Sequence, residues 1–170
     1  MSTKYKFVDK QGIYFTTSTV VEWLDVFTRD VYRDILLNSI RFCQKNQGLS
    51  VQAWVLMTNH LHMICSFHAK QEPGLVLKNM KSFTAINLID AIINSPKESR
   101  REYMLNLFEA ERKKSSRNQR FKFWSRKQSD GKNHPVLLDS DLLYNQKLNY
   151  LPARQVIQAA LESYNSRLFK

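Results

Sequence analysis

The chain has 170 residues, enough for one domain with a helical extension, and 43% of them are hydrophobic, so it can build a core. Four glycines and four prolines argue against a fibrous or disordered chain, no apolar run is long enough to span a bilayer, and the opening MSTKYKFVDKQG lacks the apolar stretch of a secretory signal. Lys and Arg number 26 against 15 Asp and Glu, a net charge of +11, which favours a polyanionic partner: nucleic acid first, an anionic membrane surface second.

Residues 13–20 (IYFTTSTV) combine aromatic and β-branched types and predict a strand. Thr28 is a candidate cap for a helix starting at Val31, where Tyr32, Ile35, Leu36, Ile40 and Cys43 repeat with a helical period until Gly48 ends it. Strands over 50–57 and 61–67 flank Thr58-Asn59 and predict a β-hairpin. Pro73-Gly74 breaks the chain before a helix over 75–93, with Leu77, Met80, Thr84, Leu88 and Ala91 on one stripe. Ser95-Pro96-Lys97-Glu98 has the form of a capping box and predicts a third helix to residue 113, with Met104, Leu107 and Phe108 inward. A short FKFW strand, a turn through Asp130-Gly131 and a helix from Asp139 or Ser140 follow. Cys43 and Cys65 fall in apolar patterns and read as buried thiols of a reducing compartment, which places the protein in the cytoplasm.

The core order β-α-β-β-α predicts an α+β, ferredoxin-like antiparallel sheet with helices on one face and the other face free for a ligand, followed by additional helices. A single domain is expected over 1–170, with its core at 12–95, a basic helix and loop at 96–135, and two closing helices at 139–170. Such a fold hosts many activities, so function has to come from particular residues.

Three regions carry chemistry. In WVLMTNHLHMI (54–64), His60 and His62 sit two apart at the tip of the hairpin, so they share a sheet face about 6–7 Å apart along the strand. They read either as a pair able to share a divalent ion or as half-buried sheet histidines with hydrogen-bonded partners. Residues 109–127 interleave Arg112, Lys113, Lys114, Arg117, Arg120, Lys122, Arg126 and Lys127 with Phe121, Phe123 and Trp124. The cations suit phosphates, and Lys78 and Lys81 add two more. The aromatics suit either base stacking or the core, and strand alternation would bury Phe121 and Phe123, or else Trp124. The helix after residue 140 carries Tyr144 and Tyr150. A phenol ionises only near pH ~10, but it can attack a phosphate that a cation polarises. Either tyrosine could equally be a packing residue.

His60-Leu61-His62 resembles the His-hydrophobic-His (HUH) motif of the single-tyrosine transposases, above all the insertion-sequence-200-like group that includes REP-associated tyrosine transposases. GIYFTTSTVVEWLDVFTR at the start, KSFT at 81–84, FW at 123–124, GKNHPV at 131–136 and QKLNY at 146–150 follow that family's order. The resemblance implies that His60 and His62 hold Mg²⁺ or Mn²⁺ and that Tyr150 is the nucleophile. It implies cleavage of single-stranded or hairpin DNA through a 5′-phosphotyrosine, with release of a 3′-hydroxyl and rejoining without ATP. It also implies a homodimer that associates with the nucleoid when bound to DNA.

The family places a polar metal ligand one turn after its tyrosine. Here Arg154 stands there, and a guanidinium cannot ligate a cation; Pro152 disfavours helix at Leu151, and Gln155 substitutes only if the register shifts by one. A relative that binds hairpin DNA without cutting it is therefore the alternative. An RNA-binding module of similar topology would show aromatics on the sheet face, where this chain shows histidines.

Overall fold

The computed structural model describes residues 7–68, 71–114, 120–125 and 134–151. Strands Tyr14–Thr19 (β1), Leu49–Leu56 (β2), His60–Phe67 (β3) and Val136–Leu137 (β4) form one antiparallel sheet in the order β2-β3-β1-β4. The helices are Asp30–Asn46 (α1), Pro73–Asn94 (α2), Arg101–Lys113 (α3) and Asp141–Tyr150 (α4). α1 carries the chain from β1 to the far edge, and the tight β2–β3 hairpin returns β3 to the slot between them. This is the expected α+β, ferredoxin-like arrangement. Among the described residues no helix is long and apolar enough to cross a membrane.

Alternation along β1 and β3 sorts their side chains onto two faces. One face gives Tyr14, Leu61, Met63 and Cys65 to the main core, which α1 completes with Tyr32, Leu36, Ile40 and Cys43. α2 adds Val76, Met80, Leu88 and Ile92, and α3 adds Met104 and Phe108. Burying each large side chain contributes about 1.5–3 kcal/mol. Cys43 and Cys65 are buried free thiols, and burial pushes the Cys65 thiol up to about 12. The other face carries a smaller layer in which Phe15, Ala53 and Ile64 pack under Leu143, Tyr144, Leu148 and Leu151 of α4 and its end. Among the described residues α4 thus covers part of the second face, which is not free along its whole length.

A bulge at Gln52 joins the two layers. Val51 pairs with Cys65, yet Ala53 pairs with Ile64, so the alternation of β2 flips between them. Trp54 and Leu56 then reach the main core, while Val55 packs in the smaller layer. Gly48, at φ 71°, ends α1 as expected, because glycine enters the left-handed region without a side-chain clash.

Several local expectations need correction. Thr28 does not cap α1; Arg29 is the N-cap residue, without a side-chain bond, and the Thr28 hydroxyl accepts from Arg100 Nη2 at 3.2 Å. Pro73 opens α2 instead of breaking the chain, since its fixed φ suits a first turn that needs no N–H donor. The buried stripe of α2 is Val76, Met80, Thr84, Leu88 and Ile92, a strict four-residue step, with Leu77 and Ala91 half-buried beside it. FKFW makes one bridge, Val20 to Trp124, instead of a strand, and β4 is an edge pair that carries no sequence period. Asp130-Gly131 lies outside the described residues.

The capping box is absent too. α3 starts at Arg101, and Glu98 turns into the protein. Its carboxylate, with no exposed side-chain surface, accepts from Arg29 Nε at 3.0 Å, Tyr32 Oη at 3.1 Å, and Arg100 N and Nε at 3.2 and 3.3 Å. Burial alone would raise its pKa, but the Arg100 and Tyr32 bonds and both guanidinium charges outweigh this and hold the carboxyl below the usual range. Its stabilising contribution is therefore complete above the unfolded value of about 4.3 and disappears as pH falls through the lower folded value. Glu98→Gln is expected to lower stability by about 2 kcal/mol at neutral pH, with the gap to wild type closing in acid. Urea unfolding across pH measures both; a gap independent of pH contradicts the ionised network.

Candidate functional site

β3 begins at His60, so both histidines fall on the face away from α1 and α2, opposite Thr19 and Thr17 of β1. Their ring centroids are 4.7 Å apart at 78°. The hairpin tip that carries them is clamped by residues 20–27. Val20 N–H donates to Asn59 O at 2.9 Å and Phe27 N–H to Thr58 O at 2.8 Å.

Asn59 fixes the chemistry of the first ring. Its Nδ2 donates to Trp23 O at 3.0 Å and to Asp25 Oδ1 at 2.9 Å, and these two acceptors set which way the amide faces. Its Oδ1 therefore meets His60 Nδ1 at 2.7 Å. A carbonyl oxygen only accepts, so His60 carries its proton on Nδ1 and leaves the Nε2 lone pair open. Asp25 also accepts from Thr58 Oγ1, and Arg100 Nη1 donates to Asp25 O at 2.9 Å, tying the tip to the Glu98 network. His62 Nδ1 meets Thr17 Oγ1 at 2.8 Å, and Phe15 stacks on the ring at 5.2 Å. Such partners on Nδ1 are how metal-binding imidazoles are oriented.

Both rings are neutral at pH 7. Burial lowers the pKa of His60, and burial followed by the charges of His60 and Lys147 lowers that of His62 to about 4. Among the described residues no group of three His, Cys, Asp or Glu is arranged to hold an ion, so this pair is the donor set on view.

α4 separates the two candidate tyrosines. Ser140 caps it, its Oγ accepting from Leu143 N–H at 3.4 Å. Tyr144 packs in the smaller layer, whereas Tyr150 is 59% exposed with its ring 5.7 Å from His62 and 6.1 Å from Phe15. The helix ends at Tyr150 because the residue before Pro152 is pushed to extended backbone, and Leu151 does adopt φ −69°, ψ 109°. Leu151 is buried and pins that end of the helix. Lys147, one turn before Tyr150, places its Nζ 5.1 Å from the Phe15 ring and 5.6 Å from the Tyr150 ring. Arg154 and Gln155 lie outside the described residues.

The basic residues divide. Lys113 pairs with Glu109 at 3.1 Å, and Lys114 and Lys122 both reach the buried Glu111. Arg120 is exposed over the Phe121 ring at 4.9 Å. Arg117, Arg126 and Lys127 lie outside the described residues. Lys78 and Lys81 line a groove of about 870 Å³ between α2 and residues 121–125, together with Arg112 and Trp124. Trp124 Nε1 donates to Lys81 O at 2.9 Å and Phe123 is buried in the core, so these two aromatics hold structure. Burial pulls the Lys81 ammonium down to about 8, which leaves it mostly protonated at pH 7. The groove reaches Thr17, whose hydroxyl holds His62.

Thr17, Asn59, Asp25 and Lys147 are absent from the candidates that the sequence supplies. Lys147 alone left a signal there, being one helical turn from Tyr150. Nitrogen NMR at neutral pH is expected to show His60 as the Nδ1–H tautomer in wild type and as a mixture in Asn59→Ala. An Nε2–H tautomer in wild type would contradict the network.

Among curated proteins none matches the chain. Among solved structures it is similar to a REP-associated tyrosine transposase bound to a REP hairpin, with a TM-score of 0.59 and 13% identity, covering 92% of this chain and 73% of that one. At that identity the likeness speaks for the fold. In sequence, the family description "Transposase IS200 like" matches residues 22–110, a span that holds both histidines and more than half of the chain. The chain belongs to the IS200-like transposase family.

Proposed function

We propose that this chain is a single-stranded DNA transesterase that cuts and rejoins DNA beside hairpins, with Tyr150 as nucleophile. The observation that carries this reading is the meeting of His60, His62 and the exposed Tyr150 on one sheet face, the Tyr150 and His62 rings 5.7 Å apart. A Mg²⁺ or Mn²⁺ ion held by His60 and His62 would polarise the scissile phosphate. The two neutral rings suit that role, since both have Nδ1 engaged and neither has to lose a proton.

Tyr150 Oη attacks phosphorus, the bond from phosphorus to the 3′ oxygen breaks, the phenol gives up its proton and the leaving 3′ oxygen gains one. A 5′-phosphotyrosine and a free 3′-hydroxyl result, and the reverse attack rejoins the strand. One phosphodiester replaces another, so no ATP is consumed. Lys147 stands over the Tyr150 ring and adds positive charge where the phenolate and phosphate would meet. Lys78 and Lys81 line the groove along α2 and suit the phosphates of a bound strand. The REP hairpin in the similar structure supports hairpin DNA as the partner here.

A second reading, a hairpin binder that does not cut, is favoured by Arg154 at the position of the family's third ligand. A covalent-adduct assay separates the two. With Mn²⁺ and labelled single-stranded hairpin DNA, wild type is expected to form a denaturation-resistant protein–DNA adduct and Tyr150→Phe none. Adduct from Tyr150→Phe removes Tyr150 from the mechanism, and tight binding without adduct from wild type supports the non-cutting reading.

A further inference from the structure

Trp23 stands beside the histidines without belonging to either apolar layer. Its indole is 53% exposed and meets the His60 ring edge-on, with centroids 5.6 Å apart at 76°. The backbone beneath it is unusual. Glu22 and Trp23 both have positive φ, 50° and 55°, the left-handed region that side-chain-bearing residues avoid and bulky ones avoid most. Two such residues in succession, neither of them glycine, make a strained turn. Hydrogen bonds hold it in place: Trp23 N–H to Val20 O and Leu24 N–H to Val21 O, each 3.2 Å, and Asn59 Nδ2 to Trp23 O at 3.0 Å.

A buried indole could offset such strain by packing, but this one spends half its surface on water. Asn59, the residue that orients His60, also holds the carbonyl of Trp23, so one side chain ties the backbone under the indole to the imidazole that the indole meets edge-on. The turn therefore holds an aromatic surface at a fixed place next to the ring proposed to meet the scissile phosphate.

We infer that Trp23 is a stacking platform for an unpaired nucleobase next to the phosphodiester at His60 and His62. The inference rests on the transesterase reading and adds a subsite to it: a base-binding surface that positions the strand. Every base has a π face, so the contact tolerates different sequences and fixes where the backbone lies.

The test uses short single-stranded oligo(dT) and the same oligonucleotide with abasic positions, titrated into wild type, Trp23→Phe and Trp23→Gly. Trp23→Gly is expected to bind oligo(dT) about tenfold more weakly and Trp23→Phe to lose little. On the abasic strand Trp23→Gly should match wild type, because the base is what the indole contacts. Glycine takes φ 55° freely, so the thermal midpoint of Trp23→Gly should equal or exceed that of wild type. Equal affinity of Trp23→Gly and wild type for oligo(dT), an equal loss on both oligonucleotides, or a lowered thermal midpoint overturns the inference. Wild type that binds oligo(dT) as tightly as Trp23→Gly sinks the inference alone. Wild type that binds no single strand at all removes the transesterase reading with it.

Discussion

The side-chain amide of Asn59 is the constraint on which the candidate site depends. It makes three hydrogen bonds, to Trp23 O, Asp25 Oδ1 and His60 Nδ1, and each sets a different part of the site. The bond to the Trp23 carbonyl holds the backbone that carries the indole, and the bond to Asp25 ties the hairpin tip to the loop ahead of α1. The bond to His60 selects the tautomer whose Nε2 lone pair is open. Behind Asp25, Arg100 and the buried carboxylate of Glu98 extend the same chain of contacts to the start of α3. A hydrogen bond of this kind contributes only about 0.5–1.5 kcal/mol to stability, but its directional effect on a ring is large.

The two faces of the sheet divide the work. The face under α1 and α2 holds the large apolar core, and the other holds the histidines and a small layer under α4. Two neutral imidazoles 4.7 Å apart would repel if both were charged, and burial keeps them uncharged at pH 7. Among the described residues, Lys147 brings positive charge beside Tyr150 on the histidine face, and Lys78 and Lys81 line the groove along α2.

Most of the fold was legible because alternation and helical periods are local signals. The hairpin around Thr58-Asn59, the face shared by His60 and His62, and Gly48 at the end of α1 all follow from spacing. Long-range partners were not legible. Glu98 has the spacing of a capping box, but two arginines and Tyr32 draw it inward, and no local pattern records partners 66 and 69 residues away. The bulge at Gln52 leaves no trace in a run of apolar residues. β4 is two residues long, too short for a period. At the site, the tyrosine helix was visible, but the choice of Tyr150 over Tyr144 came from the family resemblance; packing shows Tyr144 engaged and Tyr150 exposed. Nothing in the sequence singles out Trp23, since φ is not written in composition.

The central claim is that His60 and His62 form one cation site. Titration calorimetry with Mn²⁺, comparing wild type with His62→Ala, tests it most directly. The account predicts uptake of one ion per chain by wild type and none detectable by the variant. No uptake by wild type, or equal uptake by both proteins, would contradict it.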